Sequence, residues 1–365
     1  MKTVKVYESF DALPNYVEAA LNVRSASVNI FLTLPWLKNL HATVFAQSTQ
    51  TRIYSLESDK DYHGPHLALV MYSSAKIPHL LTPRRLNAVA NYYTALFGPC
   101  IVKKDDITQE NFDLLAQTIA QESPRWDIVD LHPMAVDEPS FDAIHNALRR
   151  SGMVVQRYFC FGNWFLIVGG RTYAEYYETL PSRLKNSLQR KSKQLEKNQR
   201  IRIHIIEGGS DVQEGILAFE KVYQSSWKSP EPFPDFIPGL ITTCAENGWL
   251  RLGIAYIDEE PAAAQLWIVF NDVASIYKLA YDERYTKLSI GSILTSRLMQ
   301  HVIDNDRVRE VDYLTGDEPY KQEWMQHRRE RWGIIAFNLR SIKGIFAALN
   351  HLGRRVIKNL LRIEH

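Results

Sequence analysis

The pattern of apolar and polar positions is clearest in the second half of the chain. Ile201, Ile203 and Ile205 alternate with Arg202 and His204, which is the period of a β-strand with one buried face. Three apolar runs separated by short polar turns then predict an antiparallel meander: Trp249–Ile257, Ala262–Phe270 and Val273–Tyr281.

Helical spacing surrounds this meander. Ser210 stands where an N-cap is expected, and Gln213 three residues later completes a capping box. The helix that follows carries apolar residues at helical spacing: Val212, Ile216, Phe219, Val222, Tyr223 and Trp227. A second short helix is predicted over Asp235–Glu246. A third, after the meander, has one apolar face: Ile290, Ile293, Leu294, Leu298 and Val302.

Strand and helix alternate again towards the end of this region. Val308–Leu314 and Ile334–Leu339 are predicted strands, and Gly316–Met325 is predicted as a loop with a helix. The order is therefore β-α-α-β-β-β-α-β-α-β, in which the strand at 273–281, a helix and the next strand form a βαβ unit.

The N-terminal half is an α/β mixture. Predicted strands are His66–Tyr72, Trp126–Leu131 and Gln156–Phe161. Predicted helices are Pro14–Leu21, Asn111–Gln121 and Phe141–Ser151. These element types allow a second copy of the fold in the C-terminal half, although no sequence repeat is visible.

Length and composition indicate a two-domain globular protein. The chain has 365 residues, 45% hydrophobic and 23% charged, with a net charge of +2. That charge disfavours nucleic acid as the main partner. Three separated cysteines form neither a metal spacing nor a disulfide framework, and no signal peptide or membrane-spanning run is visible, so a cytoplasmic location is expected.

The stretch Ser289-Ile290-Gly291-Ser292 places small residues at the start of a helix directly after a strand. A helix N-terminus offers unpaired amides and a partial positive charge, so it can bind an anion. The alternative is a tight turn in which Ser289 caps the helix.

These motifs resemble those of the GNAT acyltransferases, whose phosphate loop reads Arg/Gln-x-x-Gly-x-Gly/Ala. The corresponding residues are Thr286–Gly291, with Gly291 kept and with Ser289 and Thr286 replacing the earlier Gly and the leading Arg/Gln. Other stretches resemble the branch associated with cellulose and exopolysaccharide biosynthesis, which is related to Fem-type peptidyltransferases: Leu180–Leu195, Ser225–Lys228, Pro261–Trp267, Ile276–Glu283 and Asp312–Met325.

The resemblance implies a mixed α/β fold with two GNAT-type domains in tandem. The expected divisions are a degenerate domain over 1–165, an acyltransferase domain over 166–340 and a basic amphipathic helix over 341–365. The implied co-substrate is acetyl-CoA or a longer acyl-CoA without a metal, or aminoacyl-tRNA in the Fem relatives. The acceptor is expected to be an amine or hydroxyl of a sugar or small molecule.

The resemblance also implies contacts with coenzyme A around the helix start. Its pyrophosphate would meet the backbone near the small residues, and the preceding strand would contribute from the side. The implied set is Lys287, Ser289, Ile290, Gly291, Ser292, Leu279 and Tyr281.

The expected catalytic groups follow the last strand of the βαβ unit. Tyr320 matches the family position of the acid that protonates the leaving thiolate, although it could equally be a half-buried core tyrosine. Asp312 and Asp317 are candidate bases, but a buried loop contact for the first and a helix cap for the second are stronger interpretations. Backbone amides of Tyr277–Ala280 are the expected oxyanion donors.

Five residues are candidate acceptor contacts: Trp227, Lys228, Gln265, Lys278 and Lys321. Lysines could neutralise a phosphate or carboxylate, whereas such lysines are more often solvated ends of elements, and Trp227 is more simply a core residue.

Two segments are basic and amphipathic. The helix Arg183–Asn198 could meet a phosphorylated ligand or tRNA, but a solvated face with Leu184, Leu188 and Leu195 packed inward is the simpler interpretation. Ser341–Ile363 could lie on an anionic membrane, on the inner face if the protein is peripheral, or dock on its own domain or a second subunit.

Other enzyme classes lack their motifs. The chain contains no HExxH, no GxSxG elbow and no GxxxxGK[ST] loop. Two alternatives to an acyl-CoA enzyme remain: an aminoacyl-tRNA-dependent Fem-type transferase, and a non-catalytic GNAT-like module in a polysaccharide-biosynthesis complex.

Overall fold

The computed structural model describes residues 2–23, 29–45, 49–58, 65–74, 82–197 and 200–363. The chain divides into two compact units, one formed by 1–161 with 330–365 and the other by 162–329. We call them unit 1 and unit 2. The domain boundaries expected from the sequence stay a prediction.

Both units contain strands and helices. The strands are β1 Lys2–Tyr7, β2 Thr49–Ser58, β3 Leu67–Ser74, β4 Arg85–Ala88, β5 Cys100–Ile101, β6 Ile128–Ala135, β7 Met153–Ile167, β8 Ile201–Ile206, β9 Leu250–Ile257, β10 Glu260–Phe270, β11 Val273–Tyr281, β12 Glu310–Asp312 and β13 His327–Asn338. The helices are α1 Asn15–Val23, α2 Leu34–Leu40, α3 Gln109–Gln121, α4 Pro139–Arg150, α5 Tyr173–Glu178, α6 Ser182–Lys197, α7 Val212–Gln224, α8 Phe236–Glu246, α9 Ile290–Gln300, α10 Pro319–Gln322 and α11 Ile342–Ile363.

Unit 2 contains the predicted meander. Strands β8, β9, β10 and β11 pair antiparallel in sequence order, and the two hairpin turns at 258–259 and 271–272 have positive φ at both central residues. That geometry matches the right-handed twist of the strands. Helix α9 then crosses to β12, which pairs parallel to β11, so the predicted βαβ unit is confirmed.

Helices pack on both faces of this sheet. Neighbouring residues of a strand point to opposite faces, so each face of β9 contacts a different helix. On β9, Leu252 faces Gly215 of α7, where an added Cβ would lie 2.9 Å from the leucine side chain. The next residue, Gly253, faces α9, where an added Cβ would lie 2.8 Å from Leu298. Glycine thus allows close packing on each face.

Unit 1 is built on a mixed sheet. Strands β1, β2, β3 and β4 pair antiparallel in order, β4 pairs parallel to β6, and β13 pairs antiparallel to β6. Helices α3 and α4 bury their apolar faces in the core of this unit. None of the helices in the described part of the chain is long and apolar enough to cross a membrane.

Most predicted helix faces and strands of unit 2 are confirmed, with three corrections. Helix α7 begins at Val212 after a 3-10 turn, so Ser210 does not cap it, and its hydroxyl bonds Asp211 at 3.0 Å instead. Trp227 lies beyond the end of α7 and is 49% exposed, so it is not a core residue. The strand predicted over Val308–Leu314 is confined to β12.

Candidate functional site

The first turn of α9 presents backbone donors without protein acceptors. Ser289 adopts the left-handed conformation (φ 54°, ψ 34°) and its side chain makes no capping hydrogen bond. The first bond into the helix runs from the Ile293 amide to the Ser289 carbonyl at 3.1 Å. Among the described residues, nothing accepts from the amides of Ile290, Gly291 and Ser292. The turn is therefore suited to an anion, because these donors and the helix dipole coincide.

The 3-10 turn Glu283–Leu288 leads into this helix and is fixed at its start. The Asp282 carboxylate accepts from the Arg284 amide at 2.9 Å and pairs with the Arg284 guanidinium, whose hydrogen bonds lower the pKa of Asp282. Lys287 near the end of the turn is exposed. It places a cation one turn before the free amides.

A side chain of the sheet fixes the position of the helix start. Gln265 on β10 is buried and donates to the Gly291 carbonyl at 2.9 Å and to the Thr295 hydroxyl at 2.8 Å. Its own oxygen accepts from the Trp267 indole at 2.9 Å. All of its polar atoms are thus used inside the protein, which assigns Gln265 to positioning α9 rather than to contacting an acceptor.

Aromatic residues lie along the same turn. An added Cβ on Gly291 would be 3.3 Å from the Tyr281 ring, so the glycine permits that close approach. The other neighbour of Tyr281 is Trp227, with ring centroids 4.5 Å apart. Leu279 is partly buried and packs against the core of unit 2. The predicted cofactor residues are therefore brought together at the end of β11.

Strands β11 and β12 pair over only three residues. Their register runs from Val273–Glu310 to Ser275–Asp312, and β12 ends there while β11 continues to Tyr281. The segment Tyr277–Ala280 lies beyond this pairing. Its role as oxyanion donor stays a prediction.

Tyr320 stands on α10, past the end of β12. Its ring packs edge-on against buried Tyr313 at 5.7 Å, and it is 43% exposed. No described residue bonds to its hydroxyl. Burial of the ring, together with the Glu318 carboxylate, raises its pKa to about 12, so the phenol is protonated at neutral pH.

The two aspartates proposed as bases are both paired. Buried Asp312 accepts from the Leu314 amide at 2.6 Å, from Asn163 at 2.5 Å and from Arg329 at 2.5 Å. Asp317 forms two hydrogen bonds with Arg328, which lower its pKa. It does not cap α10, because Glu318 holds that position. The structure thus gives both carboxylates structural partners and identifies no free base at either.

The three candidate lysines differ in their partners. Lys278 on β11 pairs with Glu231 at 2.6 Å, and the same carboxylate accepts from Tyr223 at 2.6 Å. Lys321 is buried, pairs with Glu318 at 2.8 Å and donates to the carbonyls of Thr315 and Gly316, so it holds the loop before α10.

Lys228 is the exception among these lysines. In the described part of the chain, its ammonium has no hydrogen-bond acceptor or carboxylate within 4 Å, and it faces the rings of Tyr223 and Trp227 at 5.7 and 5.8 Å. Burial and the nearby cation Lys278 lower its pKa to about 8.

Three functional neighbours were missed by sequence reasoning: Asn163, Glu231 and Arg329. Asn163 stands 149 residues before Asp312 and Arg329 stands 17 residues after it, yet both side chains contact its carboxylate. No local sequence pattern marks either residue. Glu231 does have a local signal, since it stands between two prolines in a turn that places it beside β11.

The comparison with known proteins agrees with this geometry. Residues 182–322 match the acetyltransferase (GNAT) domain. All fifteen residues proposed from the sequence lie inside this match, whereas Asn163 and Arg329 flank it. The predicted mixed α/β class with a GNAT-type domain is confirmed. No protein with a curated description matches the chain.

Solved structures of low sequence identity share the fold. FemX has a TM-score of 0.61 at 8% identity, covering 92% of this chain and 97% of its own. L-PGS from Bacillus licheniformis has a TM-score of 0.52 at 13% identity, covering 94% and 97%. A conserved protein of unknown function from Bacteroides thetaiotaomicron has a TM-score of 0.53 at 9% identity, covering 92% and 100%.

Proposed function

We propose that this chain transfers an acyl group from an acyl-CoA to an amine or hydroxyl of a sugar or small acceptor. The observation that carries the proposal is the first turn of α9, where three amides without protein acceptors follow a fixed left-handed Ser289 within the GNAT domain. A pyrophosphate supplies the acceptors that these amides lack. Lys287 adds a charge at the same end of the helix.

Each remaining residue has a part in this scheme. The backbone of Tyr277–Ala280 orients the thioester and binds the developing oxyanion. As the acceptor's nitrogen or oxygen bonds to the acyl carbon, the C–S bond breaks and the Tyr320 hydroxyl, held protonated, donates its proton to the departing thiolate. The proton that the acceptor loses passes through solvent and restores the phenol. Lys228 and Trp227 face the acceptor, while Gln265, Asp312 and Lys321 position the helix and loops around the reacting groups.

A Fem-type transferase that uses aminoacyl-tRNA is the second candidate. The FemX fold over 92% of the chain favours it. The exposed basic residues of α6, whose Leu184, Leu188 and Leu195 are buried, would supply a surface for RNA. Membership of the exopolysaccharide-associated branch, and a cytoplasmic place for the reaction, belong to the same proposal.

Thermal shift measurements with coenzyme A, acetyl-CoA, longer acyl-CoAs and aminoacyl-tRNA test the proposal. A ligand at about 100 times its Kd adds roughly 2.7 kcal/mol of stability. Stabilisation by one acyl-CoA supports the donor assignment. Stabilisation by tRNA alone favours the Fem-type candidate. If no ligand changes the melting temperature of the folded protein, a non-catalytic module is favoured.

The variant Ser292→Asp tests whether the acyl-CoA binds at the first turn of α9. The new carboxylate lies in the first turn of α9, where its interaction with the helix dipole stabilises the protein by about 0.3–1 kcal/mol. The same charge repels a pyrophosphate. We expect the free protein to melt no lower than the wild type and the acyl-CoA shift to disappear. Ser292→Asn, which has the same shape without the charge, should keep the shift.

A further inference from the structure

A pocket of about 340 Å³ lies between α7, α8 and the turn that joins them. Its wall is mostly apolar and consists largely of Ile216, Phe219, Tyr223, Pro230, Ile237 and Ile241. Its polar groups include Lys228 and Glu231. An apolar wall with a few polar groups is the usual character of a small-molecule site, and this volume is at the small end of that range.

Three charged residues line the pocket, Glu220, Lys228 and Glu231, and they are not equivalent. Glu220 is half-buried on α7. Glu231 is already neutralised, because Lys278 lies 2.6 Å from it and the Tyr223 hydroxyl donates to it. Lys228 has aromatic faces beside its ammonium but no carboxylate within 4 Å in the described part of the chain, and Glu231 and Glu318 act on it only from farther away. The Lys228 ammonium therefore lies next to an apolar wall without a carboxylate paired directly to it.

Burying a cation without an anion costs free energy. Lys228 is half-buried beside this apolar wall, so an anionic group of a ligand against its ammonium would offset part of that cost. The turn is also rigid, since Pro230, Pro232 and Pro234 restrict its backbone. A preformed site loses little entropy when it binds.

We propose that this pocket binds an amphiphilic anion, with an apolar chain or ring inside and a carboxylate or phosphate against Lys228. Glu231 links the pocket through Lys278 to β11, the strand beside the acyl-donor turn. If the chain transfers acyl groups as proposed, the pocket selects the acceptor. This role in acceptor selection rests on the proposed function, whereas the binding of the anion does not.

Isothermal titration with octanoate, octyl phosphate and neutral octyl glucoside tests the site directly, without coenzyme A. We expect the two anions to bind and the glucoside to bind at least tenfold more weakly, as a charge-assisted contact predicts. Preference for octanoate or for octyl phosphate identifies the anionic group.

Variants assign the binding to these residues. Lys228→Gln should weaken both anions about tenfold. Gln224→Trp, at the rim of the pocket, should exclude their apolar chains. Lys221→Gln, on the same helix but paired with Glu260, is the matched control and should leave affinity unchanged.

Equal affinity for all three probes, or anion affinity that survives Lys228→Gln in folded protein, overturns the proposal. Failure of the acyl-CoA assignment would appear separately, as a missing thermal shift that is independent of Lys228.

The large apolar residues of α11 from Ile342 to Leu352 face outwards. Its packed side consists of small residues: Gly344 lies against the backbone of Asn338 and Asp127, and Ala347 and Ala348 pack on the core of unit 1. The outward side carries Ile342, Ile345, Phe346, Leu349 and Leu352, of which Ile342 is 75% and Phe346 67% exposed.

The start of this helix is fixed to unit 1. Ser341 bonds the Asp127 carboxylate, and the Lys343 ammonium donates to the Thr82 carbonyl at 3.1 Å. The large residues therefore cannot turn inwards without breaking these contacts.

Charge identifies the partner of the outward face. Residues 339–363 contain six Lys and Arg and no Asp or Glu. An apolar stripe accompanied only by positive charges matches an anionic lipid surface, which offers both an apolar layer and negative headgroups. We infer that α11 binds anionic membranes at their surface.

Co-sedimentation with vesicles of phosphatidylcholine, with and without phosphatidylglycerol, tests this inference. We expect the protein to bind only to the anionic vesicles. High salt should weaken this binding at least tenfold, because it screens the attraction between the basic residues and the headgroups. Phe346→Ser combined with Leu349→Ser should abolish it. Leu217→Ser, which removes an equally exposed leucine from α7, is the control.

Two results overturn the membrane inference. One is full-length folded protein that sediments with neither vesicle. The other is a dimer in light scattering that the Phe346→Ser and Leu349→Ser double variant dissociates, since the face would then be covered by a second copy.

Discussion

The Gln265 side chain donates to the Gly291 carbonyl at 2.9 Å, so a buried residue of the sheet holds the first turn of the helix proposed to bind pyrophosphate. The same amide reaches Thr295 one turn later, and Trp267 completes the network. The position of the free amides thus depends on a contact between residues 26 positions apart.

Gln265→Leu should destabilise the protein. The change leaves the Trp267 indole buried without its acceptor, at about 1–3 kcal/mol for an unsatisfied group, while the Gly291 carbonyl keeps the Thr295 hydroxyl at 3.0 Å. Urea unfolding monitors the loss, and acyl-CoA affinity should fall as the first turn of α9 loosens. Gln300→Leu, at the exposed end of the same helix, should change stability by less than about 0.5 kcal/mol.

Ser289→Gly should stabilise the protein slightly. Ser289 has a φ of 54°, which costs a residue with a Cβ about 1–2 kcal/mol, whereas glycine adopts it freely but loses more entropy on folding. The net gain is about 0.5 kcal/mol. A lower unfolding midpoint for Ser289→Gly than for the wild type would show that the turn is not strained.

Tyr320→Phe should slow turnover about a hundredfold without affecting folding, because a positioned acid contributes at least that factor. The hydroxyl has no partner in the described structure, so stability should stay within about 0.5 kcal/mol. With a pKa of about 12, ionisation of Tyr320 should not reduce the rate below pH 10. Unchanged kcat in the variant would remove Tyr320 from the mechanism.

Asp312→Asn should cost about 3 kcal/mol of stability, since it breaks a buried contact with Arg329 and places an amide against the Leu314 amide. Asp317→Asn, at a more exposed pair with Arg328, should cost less than about 1 kcal/mol. Unfolding in guanidinium measures the stability of both variants and so distinguishes a structural role of each aspartate from a role as catalytic base. Loss of activity at full stability would instead identify a base.

The stability of the protein should depend on the charge of Lys228. Its folded pKa of about 8 lies below the ordinary lysine pKa of 10.5, so between these values the unfolded chain binds more protons and stability rises with pH. The rise is on the order of 1–3 kcal/mol. It should be absent in Lys228→Gln and present in Lys221→Gln, when urea unfolding is followed from neutral pH to about pH 10.5.

The sequence alone determined the elements of unit 2. Alternation of Ile201, Ile203 and Ile205, the apolar face of α9 and the polar turns between strands are local signals, and local backbone geometry follows from them. The same signals indicated where a helix begins with small residues, and hence the candidate anion site at Ser289–Ser292.

Only the tertiary structure decided which polar residues are available at the site. Asp312 is held by Asn163 and Arg329, and the polar atoms of Gln265 are used in holding α9. Lys228 has no carboxylate paired directly to it in the described part of the chain. The reason is physical: the protonation and availability of a side chain depend on desolvation and on partners brought from distant positions, which a local pattern does not contain. In the same way, the sequence showed that α11 is amphipathic, but the small residues of its packed face decided that its large apolar residues turn outwards.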